Sequence, residues 1–325
     1  MKAIISTKYG APDVLQLQEV EKPTPKDNEV LVRIHASSVT TADTFMRTGT
    51  PYFGRLFMGL MKPKYPTPGT GFAGQVEAIG KDVTLFKMGD AVFGESIFGT
   101  GTNAEYVCVA ENGIIVAKPD DMSYEEAAPI CDGAVTSMNF LKNLGNIQPG
   151  QKVLINGASG SLGTAAVQLA KHFDVEVTGV CSTANIELVK SLGADKVIDY
   201  SKEDFTTTGE TYDIIYDTVG KLSFTKCKKS LTTNGTYISP VLRIPLLVQM
   251  LWTSMTSSHK KAKFSATGLL PVPEIRYFLE EIKILFEQKK IKSVIDRYYP
   301  IAQVADAHRY VDTGHKKGNV VLLTA

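Results

Sequence analysis

Gly157, Gly160 and Gly163 lie between a β-branched run, Val153-Leu154-Ile155, and a small-residue helical stretch in KVLINGASGSLGTAAVQLAKHF. Strand, tight loop and helix in this register define the first βα unit of a doubly wound parallel sheet built to hold a dinucleotide. Ala158 stands where the strict G-x-G-x-x-G fingerprint has its first glycine, leaving A-x-G-x-x-G. Gly160 has no Cβ, so a pyrophosphate can approach the backbone at the positive end of the next helix. Ala158, Ser159, Gly160, Ser161 and Leu162 are therefore the expected phosphate loop, and Gly163 lets the helix pack close to the sheet.

Which dinucleotide binds is decided at the end of the next strand, Val175 to Val180. NAD sites usually place an Asp or Glu there, about 20 residues beyond the loop, to bind the ribose 2′-hydroxyl. This chain instead reads Cys181, Ser182, Thr183, Ala184, Asn185. No acid in that run repels a 2′-phosphate, and Ser182 and Asn185 can donate hydrogen bonds to one, so NADPH is favoured. Ser182 can equally serve as cap of the helix expected from Asn185 to Leu192.

The length of 325 residues implies two domains, and 43% hydrophobic content supplies two cores. Lys and Arg number 35 against 34 acids, so no overall field draws the chain to nucleic acid or an anionic membrane, although a local basic patch is compatible with that balance. Cys108, Cys131, Cys181 and Cys227 form no C-x-x-C pair, and the five histidines show no ligand spacing. The opening MKAIIST is strand-like and carries no secretory core, so a cytosolic enzyme is expected.

Over the first 120 or so residues, short β-rich runs alternate with turns: KAIIST, LQLQEV, EVLVRIHASSV, FAGQVEAIG, DAVFG and AEYVCV. This is the rhythm of a β-barrel-like domain. From about Ser123 helices and strands alternate, with strands expected at 153–155, 175–180, 196–198, 213–217 and 235–239. Gly193 should end the helix carrying Leu188, Val189 and Leu192. The apolar stretch PVLRIPLLVQMLWTSMTSS, which holds the only tryptophan, Trp252, is broken by Arg243 and Pro245 and is short for a membrane span. It reads as an active-site cover, a subunit contact or a buried helix; peripheral membrane contact is a further alternative, and stable insertion is not expected.

MKAIISTKYGAPDVLQL, PGTGFAGQVEAIGKDVTLFKMGD, GASGSLGTAAVQLAK, LGADKVIDY and GHKKGNVVLL, in that order, cover nearly the whole chain. With these motifs it resembles the medium-chain dehydrogenase/reductase superfamily, in its zinc-free quinone oxidoreductase branch of zeta-crystallin-like enzymes. The resemblance implies an α/β architecture: a GroES-like β-rich catalytic domain (1–123), a Rossmann NADPH-binding domain with a doubly wound parallel sheet (124–265) and a C-terminal segment (266–325) returning to the catalytic domain. Zinc members of the superfamily have a Cys and a His where this chain has Thr40 in SSVTTAD and Thr70 and Gly71 in PGTGFAG. Cys131 lies near a third ligand position that Asp132 occupies. Hydroxyls and a glycine cannot replace a thiolate and an imidazole, so no zinc is expected.

By the same resemblance Thr136 lies near the nicotinamide ribose, Tyr200 beside the adenosine 2′-phosphate and Asn319 near the nicotinamide end, while Lys317 can reach a phosphate or only solvent. On the substrate side the family often has Asn where Thr40 stands and Tyr where Phe45 stands; Tyr52, beside Pro51, can replace one of the altered contacts. Asp43 matches a common acid read as a structural anchor. The expected activity is hydride transfer from NADPH to quinones or α,β-unsaturated carbonyls, which need no Lewis acid, by a homodimer with small-molecule substrates. The competing readings are a non-catalytic NADPH-binding sensor or interaction protein and a zinc alcohol dehydrogenase.

Overall fold

The computed structural model describes residues 1–50, 52–97, 101–256 and 258–324. Two compact units emerge, one of residues 1–132 with 271–325 and the other of residues 133–270. The front segment contains β1 (Lys2–Ile5), β2 (Gln16–Glu19), β3 (Glu29–Val39), α1 (Thr41–Thr48), α2 (Arg55–Met58), β4 (Gly71–Ile79), β5 (Ala91–Glu95), β6 (Tyr106–Ala110), β7 (Ile115–Ala117) and α3 (Tyr124–Ala127). The second unit follows with α4 (Thr136–Asn139), β8 (Lys152–Asn156), α5 (Ser161–His172), β9 (Glu176–Cys181), α6 (Ile186–Ser191), β10 (Lys196–Asp199), β11 (Tyr212–Asp217), α7 (Phe224–Cys227), β12 (Leu231–Ile238), α8 (Ile244–Met255) and β13 (Lys261–Lys263). The closing segment consists of α9 (Val272–Glu287), β14 (Ile295–Pro300), α10 (Val304–Asp312) and β15 (Asn319–Leu323).

In the first unit, β3 organises a seven-stranded sheet in the order β14-β15-β3-β4-β5-β7, with β6 also paired to β3. Its β-branched residues Val30, Val32 and Ile34 pack with Phe72, Val76 and Val107. Register breaks at Leu31/Val32 and Ile34/Ala36 bend the β3–β4 ladder. β15 runs antiparallel to β3, with Val320 opposite Val39, so the closing segment completes the front sheet. α3 packs on β3 and β4, which keeps residues 124–132 with this unit.

The second unit holds six parallel strands in the order β10-β9-β8-β11-β12-β13. Val153, Leu154 and Ile155 are fully buried, as a strand covered on both faces must be. Gly193 takes φ +103° and its N–H bonds the Lys190 carbonyl, closing α6 where the sequence places its end. β13 was not anticipated: Lys261-Ala262-Lys263 has no apolar run, and its strand identity comes from pairing with β12.

α8 is not a buried helix. It buries Leu246 and Thr253 but exposes Ile244, Leu247, Val248, Leu251, Trp252 and Met255. Among the described residues no helix is long and apolar enough to cross a membrane. All four cysteines are free, and Cys131, Cys181 and Cys227 are buried.

Candidate functional site

The three glycines of the loop do different work. At Gly157 φ is +80°, and a Cβ would stand 2.4 Å from Val219 Cγ2 and 2.6 Å from Thr218 Oγ1. At Gly163 a Cβ would meet the Gly157 carbonyl oxygen at 2.1 Å and Ala158 Cα at 2.6 Å. Both positions are closed by backbone or by a branched neighbour, so they build the turn and seat α5. At Gly160 the only neighbour of a built Cβ is the Gly157 oxygen at 3.6 Å, an ordinary contact. The space over Gly160 is therefore open, and no side chain caps α5 there. An uncapped twelve-residue helix start with open space before it suits an anion.

Around this opening Ala158, Ser159 and Ser161 are buried and Leu162 half-buried. The Ser137 hydroxyl donates to the Leu162 carbonyl (2.9 Å), which ties α4 to the start of α5 and brings half-buried Thr136 alongside. A residue the sequence reading missed supports the loop. Asp217, fully buried at the end of β11, accepts from Asn156 Nδ2 (2.8 Å), the Gly220 and Leu222 amides (3.0 and 2.9 Å) and the Tyr237 hydroxyl (2.9 Å). An Asp closing a parallel strand next to the glycine loop is the only signal that could have found it.

At the far end of the loop Asn185 Nδ2 donates to Ser159 Oγ (3.0 Å), while buried Asn185 Oδ1 has no partner. What Asn185 holds unused is thus an acceptor, fit for a hydroxyl. Ser182 makes no side-chain cap bond, so its expected capping role is not found. Tyr200 is 61% exposed, and its amide bonds the Cys181 carbonyl (3.1 Å), which fixes it beside the end of β9.

The absence of an acid near this strand end needs correcting. Parallel pairing sets Asp199 opposite Cys181. Its carboxylate accepts from Thr183 Oγ1, from Ser201 N (3.0 Å) and from Ser201 Oγ (2.7 Å), with Lys202 Nζ at 3.6 Å. Thr183 and Ser201 hold the Asp199 carboxyl down at about 2. An ionised acid is therefore present at this strand end, with its oxygens taken up by hydroxyls and Lys202 as its counter-charge.

In the first unit Thr40 is the N-cap of α1 and only 3% exposed. Its amide and hydroxyl each donate to Asp43 Oδ2 at 2.8 Å, and the hydroxyl accepts from the Asp43 amide at 3.1 Å. This is a reciprocal capping box in which Asp43 serves as the anchor. Burial raises the Asp43 carboxyl to about 6 despite these bonds, and Oδ1 has no partner at hydrogen-bond distance. Glu95, bonded to the Thr70 side chain, is raised further, to about 8, by burial and by the charge of Asp132. Burial also pushes the Cys131 thiol well above its ordinary value, so it offers no thiolate.

Gly71 backs onto the Ala128 carbonyl, 2.5 Å from where a Cβ would be, so its bareness serves packing. Among the described residues no group of three or more His, Cys, Asp or Glu is arranged to hold a metal ion. Phe45 and Tyr52 are exposed, at 39% and 74%, with the Arg55 guanidinium 4.8 Å from the Tyr52 ring centre. Pro51 lies outside the described residues.

Of the C-terminal candidates, Lys317 is exposed and bonds Asp296 through its backbone amide (2.8 Å). Its neighbour Lys316 turns inward instead: burial pushes its ammonium down against the opposing pull of Asp132 and Asp296, and its Nζ donates to the Gly318 carbonyl (2.8 Å). Asn319 is buried and donates from Nδ2 to the Val294 carbonyl (3.0 Å). Lys317 and Asn319 belong to the first unit, whereas the glycine loop, Thr136, Ser182, Asn185 and Tyr200 belong to the second.

Comparison with known proteins matches residues 26–120 to the alcohol dehydrogenase GroES-like domain and residues 192–322 to a zinc-binding dehydrogenase domain. A chloroplastic quinone-oxidoreductase homolog of Spinacia oleracea is 32% identical over 99% of this chain and 98% of its own length. A 2-methylene-furan-3-one reductase of Solanum lycopersicum is 31% identical over 99% of this chain and 79% of its own. Among solved structures, a mycobacterial protein complexed with NADPH superposes with a TM-score of 0.84 at 26% identity, over 99% of this chain and all of the other.

Proposed function

The chain belongs to the medium-chain dehydrogenase/reductase superfamily, in its quinone oxidoreductase branch, and we propose that it is a zinc-independent, NADPH-dependent reductase of quinones or α,β-unsaturated carbonyls. The observation that carries this reading is the open face of Gly160 at the uncapped start of α5, flanked by the unpartnered acceptor of Asn185. When bound, NADPH supplies a hydride, and an acceptor that is already electron-poor takes it without a Lewis acid.

The chain's own residues bind and orient. Ala158 to Leu162 and the first amides of α5 hold the pyrophosphate, and Ser182 and Tyr200 receive the 2′-phosphate end. Asn185 Oδ1 accepts from a ribose hydroxyl. Thr136, anchored by its neighbour Ser137, takes the nicotinamide ribose; Lys317 and Asn319 are added on family likeness. On the substrate side Phe45 and Tyr52 supply apolar surface, and Thr40, whose hydroxyl proton is committed to Asp43, keeps only acceptor capacity for a substrate. Placement of the acceptor then dominates the rate.

Support comes from the spinach quinone-oxidoreductase homolog, from the tomato reductase, whose named substrate is a conjugated ketone, and from the mycobacterial neighbour with NADPH. The zinc-free part of the reading rests on Thr40, Thr70 and Gly71, which offer hydroxyls and no side chain at the matching positions. The reading extends to a cytosolic homodimer with no nucleic-acid partner and no inserted membrane segment.

The test is oxidation of NADPH and NADH across quinones, enals and enones, with simple ketones as controls, before and after dialysis against a chelator. Turnover should favour NADPH, be confined to the conjugated acceptors and survive the chelator. Turnover of simple ketones that only zinc restores would reverse the assignment. Tight NADPH binding with no acceptor turned over would select the non-catalytic sensor, which the engaged Thr40 hydroxyl favours.

A further inference from the structure

The chain as a whole is nearly neutral, at +1, yet from Thr218 to Pro273 it contains no Asp or Glu and eight Lys or Arg. α8 lies within this run. Ile244, Val248, Leu251, Trp252 and Met255, spaced at i, i+4, i+7, i+8 and i+11, form one face and are 79, 58, 55, 55 and 84% exposed. Leu246 and Thr253 on the opposite face are buried and hold the helix to its unit. A continuous exposed apolar stripe two to three turns long, on a helix already anchored by its other side, marks a contact surface.

The basic residues border that stripe. Arg243 is the exposed N-cap of α8, and Lys228 Nζ lies 5.5 Å from the centre of the Trp252 ring. Lys260 Nζ bonds the Lys228 and Leu231 carbonyls (2.8 and 2.7 Å), which brings a second cation to the same end, where exposed Lys229 also lies. A groove of about 280 Å³ between Phe224, Lys228, Val248 and Trp252 opens at this border. Lys226 stands apart, because Asp204 pairs it at 2.8 Å.

We propose that α8 and its basic border dock the protein on an anionic lipid bilayer, with the helix lying in the plane of the interface. Charge decides the occupant. A two-fold contact between copies would set these uncompensated cations against themselves, and a nucleic acid would leave the aliphatic face in water. An anionic bilayer satisfies both halves of the surface: headgroups meet the lysines, the acyl boundary takes the apolar stripe, and Trp252 sits at the depth its amphipathic ring prefers. With 12 residues, about 18 Å long, α8 lies on the bilayer and does not cross it. This proposal does not depend on the redox reading.

Trp252 is the only tryptophan, so its fluorescence reports on this surface without a label. The full-length protein, without substrate or cofactor, is titrated with vesicles of phosphatidylcholine alone and of phosphatidylcholine in which roughly a third of the lipid is phosphatidylglycerol. Anionic vesicles should shift the emission to the blue and carry the protein upward in a flotation gradient, and high salt should reverse both. Val248→Ser with Met255→Ser should abolish flotation, and Lys228→Glu with Lys229→Glu should weaken it at least about tenfold; all four sites are exposed, so NADPH binding should be unchanged in these variants. No shift with anionic vesicles, equal binding to neutral ones, or retention of binding by both double variants would overturn the proposal. A blue shift that grows with protein concentration in the absence of lipid would assign the surface to a second copy instead, and displacement from vesicles by polynucleotide would assign it to nucleic acid.

Discussion

Around Gly160 the protein leaves space open, a helix start uncapped and a buried acceptor unpartnered, whereas around Thr40 it closes the space and engages the polar groups with one another. The nucleotide unit offers backbone geometry to a ligand. The front unit has used its hydroxyl and carboxylate on a helix cap, and burial raises both of its acids, Asp43 to about 6 and Glu95 to about 8, so that Glu95 keeps its proton at neutral pH. A site of the first kind is recognised by what is missing, and one of the second kind must first be separated from ordinary fold support.

The largest expected effects divide the loop itself. Gly163→Ala forces a methyl group to within 2.1 Å of the Gly157 oxygen and should lower unfolding stability by about 3 kcal/mol in a urea titration. Gly160→Val meets no such obstacle at its Cβ and should cost about 1 kcal/mol or less, the loss of a glycine N-cap, while losing NADPH affinity about a hundredfold, or about 2.7 kcal/mol. Equal stability losses in the two variants would break the distinction between a glycine that builds the turn and one that leaves room.

On the front side, Thr40→Ala removes the cap of α1 and should reduce stability by about 1–2 kcal/mol, with Thr40→Ser restoring most of it. A drop in turnover without any change in stability would mean that the hydroxyl serves the substrate and not the helix. The last effect is read as a pH slope, that of Glu95. Its folded value of about 8 lies above the ordinary 4.5, so the folded state holds a proton the unfolded chain releases. The resulting stability is complete below about 4.5 and is lost as pH rises through about 8, with a slope on the order of 1 kcal/mol per pH unit in between. Glu95→Gln should flatten the denaturation midpoint over that window; an unchanged slope would place the titrating group elsewhere.

Much of the nucleotide unit was legible in order along the chain, because its signals are local. A buried β-branched run, a glycine loop and a small-residue helix are neighbours in sequence, and Gly193 closes its helix through its own backbone angle. What was missed was non-local. β13 and β7 are three residues each and become strands only by pairing with β12 and β5. Asp199 is distant in sequence from Ser182 but meets the same strand end through its pairing with β9. At Lys316-Lys317 two adjacent identical side chains diverge, one half-buried with its ammonium on the Gly318 carbonyl and one exposed, and nothing in KKGN distinguishes them.

By itself, then, the sequence determined the parallel-sheet unit, its glycine loop and the end of α6 at Gly193, since these depend on backbone freedom and β-branching carried by single residues. Only the tertiary structure decided which glycine faces open space, which carboxylate reaches the strand end, which lysine turns inward and which face of α8 stays exposed. Each of these depends on what packs against a residue from a distant part of the chain, and a linear pattern cannot encode that.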